Sequence, residues 1–87
     1  MFSEALAEQH PKRDLGSLSP REIEVLSMAS TGLTNAQMAT QLHVTVHAVK
    51  FHLASIYKKL GVGNRTEAAA LYLIEQSRAA SAGSAEA

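Results

Sequence analysis

Cysteine and tryptophan are absent from this 87-residue chain, and proline, phenylalanine and tyrosine occur only twice each. Without cysteine there is no disulfide and no thiolate metal site, and nothing argues for an oxidising compartment. No apolar run approaches the ~18–20 residues of a membrane span. The start, Met1 to Glu8, carries acids where a signal peptide needs bases, so the expectation is a cytoplasmic protein without membrane partners. The most consequential absence is of one sign of charge. From Val25 through Thr66 there is no acidic residue, while Lys50, Lys58, Lys59 and Arg65 all fall inside. Net charge is zero, which alone would argue against nucleic acid, but all eight acids lie at or before Glu24 or at or after Glu67. Such a chain can present one positive face, and counterion release from DNA depends on local charge.

What is present is regular helix punctuation. Ser19-Pro20-Arg21-Glu22 reads as a capping box with proline at the first helical position, opening a helix that runs to about Ser30 and stops at Gly32. Thr34-Asn35-Ala36-Gln37 is a second box, opening a short helix ending near Leu42. Thr45 caps a third helix that runs to Leu60 and stops at Gly61, and Asn64-Arg65-Thr66-Glu67 opens a fourth, carried to about Arg78. The second and third helices meet across Leu42-His43-Val44-Thr45, a turn short enough to imply a helix-turn-helix. The expected fold is therefore all-α, a compact four-helix bundle over residues 18–78. Residues 1–17 read as an N-terminal extension or linker, broken by Pro11 and Gly16. The Ala/Ser/Gly-rich residues 79–87 read as a disordered tail.

At about 100° per residue, Val49, Leu53, Ile56 and Leu60 share the core side of the third helix, flanked by Val46 and Tyr57. The opposite side holds His47, Phe51, Ala54, Ser55 and Lys58, with Lys50 on its edge and His52 nearer the core boundary. An outward phenylalanine beside a lysine and a histidine is either a stray surface aromatic or a group that packs on thymine methyls in a major groove. Its place on the second helix of the turn favours the latter.

Leu18-Ser19-Pro20-Arg21-Glu22-Ile23-Glu24-Val25-Leu26, Gly32-Leu33-Thr34-Asn35, Ala39, Leu42, Val49-Lys50-Phe51-His52, Lys59-Leu60-Gly61-Val62 and Asn64-Arg65-Thr66-Glu67-Ala68 together resemble the LuxR-type helix-turn-helix domain, the output module of quorum-sensing regulators and of NarL/FixJ-type response regulators. The resemblance covers about Leu18 to Ser77. It implies a sequence-specific transcriptional regulator whose third helix enters the major groove of double-stranded DNA and whose fourth helix makes a homodimer on an inverted repeat, with RNA polymerase a further candidate partner. It places phosphate contacts at Thr34, Asn35, Thr45, His47, Lys50, His52 and Lys59, and the outward side of the third helix brings Phe51, Ala54 and Lys58 into the DNA-facing set. The chain departs from the family pattern at Gln37-Met38, Ala48 and Ala54. A sensing or receiver domain does not fit in this length, so the expectation is an output fragment or a small stand-alone regulator.

On the fourth helix, Ala68, Leu71 and Ile74 are expected to close the core. Ala69, Tyr72, Leu73 and Gln76 are expected on the outer, dimerising side, since apolar residues nearly all round imply burial on both faces. No cofactor is expected. His43 and His47 stand four apart, but a helix starts between them, so no metal site is expected either. Glu22 and Glu24 diverge on their helix and offer no acid–base pair. Glu22 suits the capping box better, with Arg65 as its candidate ion-pair partner, and an enzyme is not expected. The alternative reading is a protein-interaction module of the same fold, pairing through the fourth helix with another regulator and no longer binding DNA.

Overall fold

The computed structural model describes residues 15–86. A 3-10 turn at Leu15–Ser17 leads into four helices, α1 (Pro20–Ser30), α2 (Asn35–Leu42), α3 (Val46–Leu60) and α4 (Arg65–Glu86), and the described residues contain no strand. Residues 1–14 of the expected N-terminal extension lie outside the described residues.

Each start is set by its cap. The Ser19 hydroxyl accepts from the Glu22 amide at 3.1 Å, and the Glu22 carboxylate accepts from the Ser19 amide at 2.9 Å, a closed capping box. Thr34 and Gln37 repeat this at α2, at 3.1 and 2.8 Å. Thr45 accepts from the Ala48 amide at 3.0 Å, and Asn64 from the Glu67 amide at 2.9 Å. At α4 the Glu67 carboxylate reaches one residue further back, to the Gly63 amide at 2.8 Å.

The ends of α1, α2 and α3 share one device. A residue in the left-handed region follows each helix (Gly32 at φ 94°, His43 at 60°, Gly61 at 69°). The next amide then bonds back five residues: Leu33 to Met28 at 3.3 Å, Val44 to Ala39 and Val62 to Tyr57 at 3.0 Å. These are Schellman motifs. Leu33, Val44 and Val62 all pack on the core, so each chain reversal is also an apolar anchor. His43 is the one described non-glycine residue with positive φ, a position that costs a side-chain-bearing residue about 1–2 kcal/mol.

α1 packs on both α4 and α3, and α2 packs on α3. Val25, Leu26, Met38, Val49, Ile56 and Leu60 are fully buried at the centre, the large ones among them each contributing roughly 1.5–3 kcal/mol on transfer from water. Leu18 closes the end near the 3-10 turn.

Two expectations for α4 need correction. The helix does not end near Arg78 but continues to Glu86. Between Arg78 and Glu86 there are four alanines and no proline, and alanine has the highest intrinsic helix propensity. The inward face also differs. Ala68 is buried and Tyr72 packs on the core, whereas Ile74 is 55% exposed and Leu73 52%. A step of three residues falls about 60° short of a full turn, so two steps carry Ile74 about 120° from Ala68, while the four-residue step to Tyr72 stays on its face. Ala69 is half-buried and Gln76 exposed.

Candidate nucleic-acid interface

α2, the turn His43–Thr45 and α3 form a helix-turn-helix, with the inner side of α3 fixed by Val49, Leu53, Ile56 and Leu60, all buried as the periodicity predicts. That burial turns His47, Phe51, Ala54 and Lys58, spaced four, three and four residues apart, to solvent on one stripe, with Lys50 exposed beside them. Phe51 is 70% exposed, the most exposed large apolar side chain among the described residues. Its ring meets that of half-buried His52 edge-on, with centroids 6.3 Å apart. Val46, expected to flank the core, is instead 39% exposed at the start of the helix.

The caps of α2 and α3 are open to solvent. Thr34 and Thr45 are exposed, and each hydroxyl uses a lone pair to accept a backbone amide, which leaves its proton free to be donated to a ligand. Neither helix carries an acid, so nothing in them would repel a phosphate.

Two expected surface residues are engaged elsewhere. Ser55 is half-buried, and its hydroxyl donates to Glu22 at 2.7 Å. Lys59 does the same through its ammonium at 2.8 Å. Glu22 is only 6% exposed. Burial pushes its carboxyl upward. The hydrogen bonds from Lys59, the Ser19 amide and Ser55, together with the Lys59 charge, outweigh that and bring it from 4.5 down to about 2. The charge of Lys59 is thus matched inside the domain. Glu22 has Lys59 as its cation, not Arg65 as the sequence suggested.

Arg65 crosses instead to the loop between α1 and α2. It donates to the Leu33 carbonyl at 2.8 Å and to Asn35 Oδ1. Sequence reasoning missed both clusters. The first left a signal: Glu22 precedes Val25, Leu26 and Ala29 by three, four and seven residues, so it lies on the inward stripe of α1, where a carboxylate needs a cation. The second left none, because the accepting group on Leu33 is backbone.

A helix pair joined by a tight turn, free of acid and with both caps exposed, defines a helix-turn-helix domain. Residues 16–72 match the family described as bacterial regulatory proteins, luxR family, and the chain belongs to that family. It is 40% identical over 73 residues to the nitrate/nitrite response regulator protein homolog of Haemophilus influenzae, covering 84% of this chain and 35% of that protein. The transcriptional regulatory proteins ComA and LiaR of Bacillus subtilis are 34% and 42% identical over 73 and 53 residues, covering 77% and 61% of this chain and 34% and 25% of theirs. The chain thus spans about a quarter to a third of the length of these relatives. No helix among the described residues is long and apolar enough to cross a membrane.

Proposed function

We propose that this domain binds duplex DNA sequence-specifically, with α3 in the major groove and the α2 and α3 caps against the flanking backbone. The observation that carries the reading is the outward stripe of α3, where an exposed aromatic ring lies among His47, Lys50, Ala54 and Lys58 with no acid on the helix. Lys50 and Lys58 supply point charges for phosphates, and Thr34, Asn35, Thr45, His47 and His52 supply hydrogen-bond donors. Phe51, with Ala54 beside it, offers apolar contact to thymine methyls. Lys59 leaves this set, because its ammonium is held by Glu22.

Two copies would pair through the outer side of α4, where Leu73 and Ile74 are both more than half exposed beside Ala70. Tyr72 leaves the expected dimer set because its ring packs on the core. A two-fold dimer sets two recognition helices about 34 Å apart, one DNA turn, which suits an inverted repeat. Selection of bound fragments from a random pool, followed by titration of the selected site against random duplex, tests the reading. Phe51→Ala is expected to weaken binding to the selected site and to leave random DNA unchanged. Equal losses on both would make Phe51 a packing residue and remove the base contact.

A further inference from the structure

We propose that Arg65 is a positioning residue for DNA binding: it turns the Asn35 carboxamide so that the amide nitrogen donates to a DNA phosphate. The inference rests on the DNA-binding reading above and assigns a role to a residue outside the helix-turn-helix. Arg65, the first residue of α4, sends one guanidinium nitrogen to the Leu33 carbonyl at 2.8 Å and another to Asn35 Oδ1. Leu33 and Asn35 flank Thr34, the cap of α2. One side chain therefore grips both sides of the cap.

A carboxamide has an accepting and a donating end of nearly the same shape, and nothing intrinsic decides which of them faces outward. A guanidinium carries donors only, so the oxygen must turn toward Arg65. The amide nitrogen, on the other branch of the same planar group, then turns away from it. Turned the other way, Asn35 would meet a phosphate with its carbonyl oxygen, and the two would repel. Beside it the Thr34 hydroxyl has its own proton to give, since it only accepts from the Gln37 amide, at 3.1 Å. The acid next in sequence, Glu67, accepts from the Gly63 and not from either donor. Arg65 thus prepares a pair of adjacent donors without itself reaching the DNA.

The test uses the whole chain, a duplex selected from a random pool, and anisotropy titrations across a salt series with Asn35→Asp, Asn35→Ala, Arg65→Lys and the Arg65→Lys/Asn35→Ala double variant. Asn35→Asp keeps the oxygen that Arg65 grips and loses the donor. It should melt at or above the wild-type temperature yet bind at least about tenfold more weakly. Arg65→Lys keeps the charge and loses the two-pronged grip. It should bind about as weakly as Asn35→Ala, with the salt dependence unchanged, and the double variant should be no weaker than either single one. Wild-type affinity in Asn35→Asp or in Arg65→Lys overturns the proposal, as does additivity in the double variant. A salt slope that drops by about 0.9 in Arg65→Ala, measured beside these variants, and is restored in Arg65→Lys also overturns it, by making Arg65 a direct phosphate contact. A wild-type chain that binds no duplex at low salt removes the DNA-binding reading and this proposal together, whereas wild-type binding with indifferent variants removes the proposal alone.

Discussion

Lys58 and Lys59 are neighbours on α3 with different surroundings. Lys58 is exposed, and no carboxylate among the described residues lies within ion-pair distance of it. Lys59 bonds a buried glutamate at 2.8 Å. A rotation of about 100° per residue separates the two cases. One side of α3 uses charge to complete the interior, and the other leaves charge unmatched, where it is available to an anionic partner. Net charge hides this division, because Glu22 cancels a cation that is already paired within the domain.

The interior side should give the largest effects. Glu22 is an acid whose carboxyl is depressed in the folded state, from 4.5 to about 2. Its contribution is therefore fully present above about pH 4.5 and is lost as pH falls toward 2. At about 1.4 kcal/mol per pH unit this amounts to roughly 3 kcal/mol. Urea unfolding between pH 2 and 7 should show that loss, and Glu22→Gln should be less stable at neutral pH with the acid-side slope correspondingly reduced. An unchanged slope in Glu22→Gln would mean that Lys59 and Ser55 do not stabilise the carboxylate.

The outer side should respond in binding and not in stability. Phe51→Ala is expected to cost about 1–3 kcal/mol on the selected site, with unfolding shifted by less than ~0.5 kcal/mol because the ring is already in water. A large drop in stability would place Phe51 with the interior residues. Leu73→Glu sharpens the contrast on α4. Half-exposed in the monomer, it should leave the fold intact and binding to a single half-site unchanged, while abolishing cooperative binding to two. Surviving cooperativity would remove α4 as the dimer face. The smallest effect is expected at the turn. His43→Gly relieves a left-handed backbone at a side-chain-bearing residue and should raise stability by about 0.5–1 kcal/mol. A loss of stability there would show that the imidazole makes a contact that outweighs the backbone strain.

Much of the fold was legible because caps and chain reversals are local. Ser19, Thr34, Thr45 and Asn64 start their helices where the sequence places them, and Gly32 and Gly61 take the left-handed conformation their positions require. The core stripe of α3 follows from periodicity alone. What was not legible depends on which neighbour arrives from elsewhere in the chain. Ser55 and Lys59 fall on helix positions that suit solvent equally well until α1 brings Glu22 against them. Arg65 passes over the available glutamate for a backbone carbonyl and an asparagine, acceptors that no charge pattern reveals. On α4 the apolar residues run nearly all round, so the inward face is set by packing: the Tyr72 ring lies against the core and Ile74 is left outside.

The salt dependence of DNA binding in Lys58→Ala and Lys59→Ala tests the division of α3 most directly. A lysine that neutralises a phosphate contributes about 0.9 to the log–log slope. Lys58→Ala should flatten the slope by about that much at unchanged stability. Lys59→Ala should keep the wild-type slope and instead lose about 2–3 kcal/mol of folding stability, through the buried carboxylate left without its cation. A flattened slope in Lys59→Ala, or an unaltered one in Lys58→Ala, would contradict it.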